Sequence, residues 1–314
     1  MQNSFTFTLN INEQNLIVGE LAKKNYESAT VPHTLVAASQ QGCRINLYKS
    51  GKLLVQGKGA KEWVEFVLEP TILKRVVIGY EQELDPQSFQ PHMGIDESGK
   101  GDYFGPLVIA SAYTNSERVH QLKEIGVQDS KRIQSDRKIL LLAKEIRKVL
   151  NDEFALITIG PKAYNRMYKK IGNVNKILAW GHARAIENLL DKVPACPRAL
   201  SDKFGPSSRI ENALMEKGAK IKLEQRTKAE SDPAVAAASI LARAGFVMAL
   251  KELEKKQGLT LPKGASEHVL KAAQQLVKEN EPSILAETAK CHFKTTDKVL
   301  APLGYSRNDI SITD

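Results

Sequence analysis

Three cysteines in 314 residues, Cys43, Cys196 and Cys291, are too few and too scattered for a disulfide framework or a cysteine-based zinc site. That sparse, odd count points to a reducing compartment, and the expected location is the cytoplasm. The six histidines, His33, His92, His120, His182, His268 and His292, show no zinc-ligand spacing. No internal repeat or low-complexity segment is visible. The start, Met1-Gln2-Asn3-Ser4-Phe5-Thr6, lacks a basic-then-apolar signal pattern. The longest apolar stretch, Ala234 to Leu250, is interrupted by Arg243 and rich in alanine, so no membrane association is expected. Nucleotide loops are missing as well. Gly57-Lys58-Gly59 has no Ser or Thr after its lysine, and Gly99-Lys100-Gly101 followed by Gly105 misses the dinucleotide spacing. No small-molecule cofactor is expected.

What is present is size and positive charge. Lys plus Arg number 45 against 36 Asp plus Glu, for a net charge of +9 and a pI near 9.3. A basic balance favours polyanion partners, nucleic acid first. The length predicts about two domains, with a core large enough to need no staples. Residues 1–79 read as a small helix-flanked antiparallel sheet. Its strands are Phe5–Leu9, Thr34–Ala38, Ile45–Tyr48 and Leu53–Gln56, and its helices run from a cap at Asn12 to about Glu27 and over Ala60–Leu68. Residues 80–92 are polar, hold Pro86 and Pro91, and read as a linker. Residues 93–314 mix strands and helices. Leu107–Tyr113, Phe154–Ile159, Ala199–Ser201 and Ala219–Gln225 read as strands. Helices are expected from Ser135, Pro161 and Asn173, over Ser207–Lys217, from Asp232-Pro233 to about Lys256, and over Ser266–Glu279 and Pro282–Cys291. A mixed sheet flanked by helices is the economical architecture.

The chemistry concentrates in Gly94-Ile95-Asp96-Glu97-Ser98-Gly99-Lys100-Gly101-Asp102-Tyr103-Phe104-Gly105-Pro106. Adjacent carboxylates repel, and a cation is the usual reason to keep them together. On an extended strand their side chains point to opposite faces, so both reach one site only near a strand end or a distortion. The neighbouring glycines permit close approach of backbone to a ligand. The alternative is a solvated hairpin with acidic turn residues. Asp202, just past a short strand, and Glu230, just before the alanine-rich helix, are further acids at element ends.

The stretch DESGKGDYFGPLVIA resembles the first active-site motif of type 3 ribonuclease H, where type 2 enzymes carry Gly-Arg-Gly in place of Gly99-Lys100-Gly101. Lys228-Ala229-Glu230 followed by VAAASILAR resembles that family's fourth acidic motif, though the spacing is about one residue short. Asp232 is the competitor for that position. An aspartate before Pro233 at a helix start caps free N–H groups, which favours Glu230 as the fourth acid. The likeness spans nearly the whole chain. It implies an α/β ribonuclease H-like catalytic domain behind a TATA-binding-protein-like α+β domain that grips substrate. It also implies cleavage of the RNA strand of RNA/DNA hybrids to 5′-phosphate and 3′-hydroxyl ends.

Phosphodiester hydrolysis of this kind uses two divalent ions, Mg²⁺ or Mn²⁺, held by carboxylates. Asp96 is assigned as the bridging ligand, Glu97 and Asp202 as ligands of one ion each, and Glu230 as the group positioning the second ion or a water. Backbone groups of Gly99, Lys100 and Gly101 are expected at the 2′-hydroxyl that marks RNA. Lys100 and Lys294, the latter in the family-like segment Cys291–Thr296, are expected at phosphates, and Ser130 and Lys131 at the DNA strand. A non-catalytic nucleic-acid binder and a type 2-like enzyme cutting at single ribonucleotides are the alternatives. A binder has no use for clustered acids facing a polyanion. The chain is expected to act as a monomer.

Overall fold

The computed structural model describes residues 4–74, 86–127, 133–202, 208–214, 217–227 and 229–312. It divides into two compact units, 1–87 and 88–314. The expected linker overlaps the second unit: Pro86–Phe89 form a helical turn and His92 opens a strand, while residues 80–85 lie outside the described residues.

The first unit is an antiparallel five-stranded sheet in the order β1-β5-β4-β3-β2. The strands are β1 Ser4–Thr8, β2 Glu27–Ser28, β3 Thr34–Gln40, β4 Cys43–Tyr48 and β5 Lys52–Gly57. Cys43, Ile45 and Leu47 alternate inward and pack with Leu53 and Val55, while Arg44 points to solvent. The first helix, Ile11–Leu21, is capped by Asn10, not Asn12. Asn10 and Glu13 form a capping box, each side chain accepting the other's backbone N–H at 2.9 Å. This helix stops before Glu27 because that residue pairs with Ser39 in the sheet edge. The helix expected over Ala60–Leu68 runs on as π-helical turns through Pro70 to Leu73.

The second unit is built on a sheet in the order β10-β9-β6-β7-β8. Its strands are β6 His92–Ser98, β7 Leu107–Thr114, β8 Phe154–Ile159, β9 Arg198–Asp202 and β10 Lys222–Arg226. β6, β7 and β8 are antiparallel neighbours, and β9 and β10 run parallel to β6. Alternation along β7 feeds two cores. Val108, Ala110 and Ala112 face the Pro233–Gln257 helix, and Leu107 and Ile109 face the Val174–Leu190 helix. Asp232 caps the former, accepting from the N–H groups of Ala234 and Val235, with Pro233 in its first turn. This helix has the length and hydropathy of a membrane span, but 78% of its most apolar window is buried against the rest of the protein.

Some expected elements are shorter. Ser208–Glu211 is the only helical part described of the expected 207–217 segment, and Pro282–Cys291 contracts to Ile284–Thr288 because residues 288–290 turn to bond another loop. Helices Ser116–Glu124 and Thr295–Leu300 had no counterpart in the sequence reading.

The Pro233–Gln257 helix lies directly on β6 at Gly94, where a methyl group would sit 2.1 Å from the Val235 nitrogen. Backbone cannot yield as a side-chain tip does. Gly94→Ala is therefore expected to cost about 3 kcal/mol or more, at the top of the overpacking range. Chemical denaturation of the variant checks this.

Candidate active site

Asp96 and Glu97 sit near the end of β6, the central strand. Parallel pairing of β6 with β9, Ile95 opposite Ser201, brings Asp202 to the level of Asp96. Asp96, Glu97 and Asp202 line one cavity of about 390 Å³ with Ser98, Gly99, Lys100, Gly101, Ser239 and Arg243. The expected acid pair, third acid and Gly-Lys-Gly loop thus meet in one place.

The two adjacent acids draw support from opposite faces of the sheet. Asp96 turns toward the Pro233–Gln257 helix, where Ser239 hydrogen-bonds it, and it accepts the Glu97 N–H at 2.8 Å. Glu97 turns toward the Val174–Leu190 helix, where His182 Nε2 lies 3.0 Å from its Oε2. Lys100 Nζ stands 3.6 Å from the other oxygen, Oε1. Their electrostatics differ accordingly. Burial and then the Glu97 charge push the Asp96 carboxyl up to about 6. For Glu97, burial acts upward, but the His182 hydrogen bond and charge, with Lys100, outweigh it and hold the group below its ordinary value.

Glu230 lies on the turn Ala229–Ser231, between Asp202 and Asp232. The Ala229 N–H donates to Asp202 Oδ1 at 3.4 Å, but the Glu230 carboxylate does not line the cavity. Asp232 is committed elsewhere. Besides capping its helix, both its oxygens lie 3.0 Å from His92 Nε2, and His92 Nδ1 donates to the Gln90 carbonyl at 2.7 Å. Lys294 is exposed and lies outside the cavity lining. Ser130 and Lys131 lie outside the described residues.

The loop after Gly99-Lys100-Gly101 is held from behind. Buried Lys290 donates to the carbonyls of Asp102 at 2.8 Å and Gly105 at 2.7 Å. Burial pushes its ammonium down to about 7. Asp102, beside the acid pair in sequence, is structural: it accepts the Gly264 N–H at 2.6 Å.

Sequence reasoning missed three groups at this site. Ser239 and Arg243 are polar residues at i, i+4 in an alanine-rich helix, a spacing that marks one face and was available as a signal. His182 had none, because a single histidine in an amphipathic helix looks like any packed polar residue.

The donor set fits hard divalent cations. Among the described residues no three His, Cys, Asp or Glu side chains close on one point. The acids instead stand open to a cavity, which suits ions that keep several waters and take oxygens from a phosphate. The Asp96 carboxyl, raised first by burial and then by the Glu97 charge, fits the same picture, since a nearby cation would offset both.

A mixed sheet of this order, with an acid pair near the end of its central strand and a third acid on the parallel neighbour, defines the ribonuclease H-like class of folds. Residues 93–296 match the family model described as Ribonuclease HII, and residues 9–74 match one described as Domain of unknown function (DUF3378). Ribonuclease HIII of Chlamydia pneumoniae is 41% identical over 297 residues, 94% of this chain and 97% of that protein. Ribonuclease HIII of Protochlamydia amoebophila is 39% identical over 96% of this chain and 98% of that protein. Among solved structures, Bst-RNase HIII in complex with Mn²⁺ superposes with a TM-score of 0.67 at 28% identity, covering 95% of this chain and 98% of that one. Aquifex aeolicus RNase H3 gives a TM-score of 0.54 at 27% identity, covering 92% and 100%. The chain belongs to the ribonuclease HIII family.

Proposed function

We propose that this chain is an endonuclease that hydrolyses the RNA strand of RNA/DNA hybrids, leaving 5′-phosphate and 3′-hydroxyl ends. The observation that carries the reading is the register of β6 against β9, which puts Asp202 level with Asp96 in the cavity shared with Glu97 and Gly99-Lys100-Gly101. The complex of the Bst relative with Mn²⁺ supports a divalent cofactor, Mg²⁺ or Mn²⁺; a pair of ions per site is part of the proposal, resting on the chemistry of phosphodiester hydrolysis. When bound, such ions polarise the phosphoryl oxygens and ease the ionisation of water.

The chain's own residues supply the rest. Asp96, held by Ser239 and the Glu97 N–H, would hold the ions together with Glu97 and Asp202, which line the same cavity. Glu230, on the turn whose Ala229 N–H bonds Asp202, would position an ion or a water from the edge of the cavity. Backbone of the Gly-Lys-Gly loop, whose following residues Asp102 to Gly105 are held by Lys290, meets the 2′-hydroxyl that DNA lacks. In the first unit, exposed Arg44, Lys52 and Gln56 offer polar contacts for the hybrid backbone.

Labelled RNA/DNA hybrid, duplex RNA and DNA holding one ribonucleotide, each with Mg²⁺, Mn²⁺ or EDTA, test the reading. Metal-dependent cutting of the hybrid is expected. Binding without cutting in every metal would make the chain a binder, and cutting confined to the single ribonucleotide would make it type 2-like. If Lys100 and Lys294 bind phosphates, replacing either by Met lowers the salt slope of hybrid binding by roughly one ion. Titration from low to high salt reads this directly, and an unchanged slope removes that contact.

We further propose that the enzyme acts as a monomer in the cytoplasm and off the membrane. Buried free thiols at Cys43, Cys196 and Cys291 suit a reducing compartment, and the apolar Pro233–Gln257 helix is spent on the core. Sedimentation of the full chain checks the monomer.

A further inference from the structure

His182 stands behind Glu97, 3.0 Å from its Oε2. Its backbone is clamped on both sides. At Gly181 a methyl group would meet Ile109 Cδ1 at 2.6 Å, so the helix rides directly on β7. One turn later the Ser111 hydroxyl donates to the Ala185 carbonyl at 2.9 Å. His182 itself is 1% exposed. Its ring therefore has little freedom, and neither has the carboxylate it bonds.

We infer that His182 is a positioning residue that fixes the rotamer of Glu97, leaving Oε1 turned toward the cavity and setting how tightly the site holds a divalent cation. The inference deepens the metal-dependent reading and rests on it. With Oε2 bonded to the histidine, one oxygen remains for an ion, and that oxygen now faces Lys100. Ser239 gives Asp96 the equivalent support from the other side of the sheet. The acid pair is thus held by two helices, each packed directly on the sheet. Outer groups of this kind typically contribute 10–100-fold to metal affinity.

The test is calorimetric titration of Mn²⁺ into the full-length protein without substrate, comparing wild type with His182→Ala, His182→Gln and His182→Asn. A glutamine amide reaches about where Nε2 sits, and an asparagine amide falls short of it. His182→Ala and His182→Asn should bind Mn²⁺ about 10–100-fold more weakly. His182→Gln should recover to within about threefold, and hybrid binding in EDTA should be unchanged in all three. Wild-type Mn²⁺ affinity in His182→Ala would overturn the inference. If the alanine variant does not fold, equal Mn²⁺ affinities for the glutamine and asparagine variants overturn it instead. A wild type that binds Mn²⁺ but leaves hybrids intact would sink the nuclease reading while leaving the role of His182 standing.

Discussion

Asp96→Asn is expected to abolish hybrid cleavage while leaving hybrid affinity in EDTA near wild type. The substitution keeps the size and the hydrogen-bonding outline of the side chain but removes one charge from the centre of the site. Charge stabilisation by a bound ion is worth several kcal/mol in the transition state, and each 1.36 kcal/mol is tenfold in rate, so the loss should be about 10³-fold or more. Fold stability should hold or rise, because the buried carboxyl and its Glu97 neighbour repel each other in the metal-free protein. Single-turnover cleavage and a thermal melt on the same preparation read both effects. Retained turnover would remove Asp96 from the mechanism.

Asp232→Ala should fail in the opposite sense, by unfolding. Its carboxylate caps the Pro233–Gln257 helix and pairs with His92, which is fully buried. Leaving a buried polar group without its hydrogen-bond partner costs about 1–3 kcal/mol, and a lost cap adds about 1. For a unit of this size that lowers Tm by roughly 5–15 °C. Glu230→Gln should melt near wild type and lose turnover. Glu230→Gln set beside the gentler Asp232→Asn decides which is the fourth acid. If Glu230→Gln stays active, and Asp232→Asn keeps its fold but is dead, the assignment passes to Asp232.

The cap at Asp232 was legible because Asp-Pro at a helix start has one strong physical use. The acid pair was legible for a similar reason: neighbouring carboxylates beside glycines need a cause. β7 declared itself by the apolar run Leu107–Ala110 at its start, as expected of a strand buried on both faces. Partnership was less legible. Asp202 joins Asp96 through the parallel register of β6 and β9, a long-range pairing that no local pattern encodes. His182 was invisible because its role depends on which face of Glu97 the helix covers. The first helix was misplaced by two residues because Asn10 and Asn12 are equally good caps in isolation, and Glu13 settles the choice. The helix before Cys291 ends sooner than its sequence pattern predicts, because Lys290 looks like an ordinary surface lysine in sequence but turns inward to carbonyl partners.

The split support of Asp96 and Glu97 bears on how such chains can change over time. Substitutions around them can be absorbed one at a time. A single inserted or deleted residue within β6 cannot, because it would send each acid to the helix that serves the other, leaving serine where histidine belongs. Length variation among relatives should therefore gather in the connections between strands and spare this one, whatever else drifts.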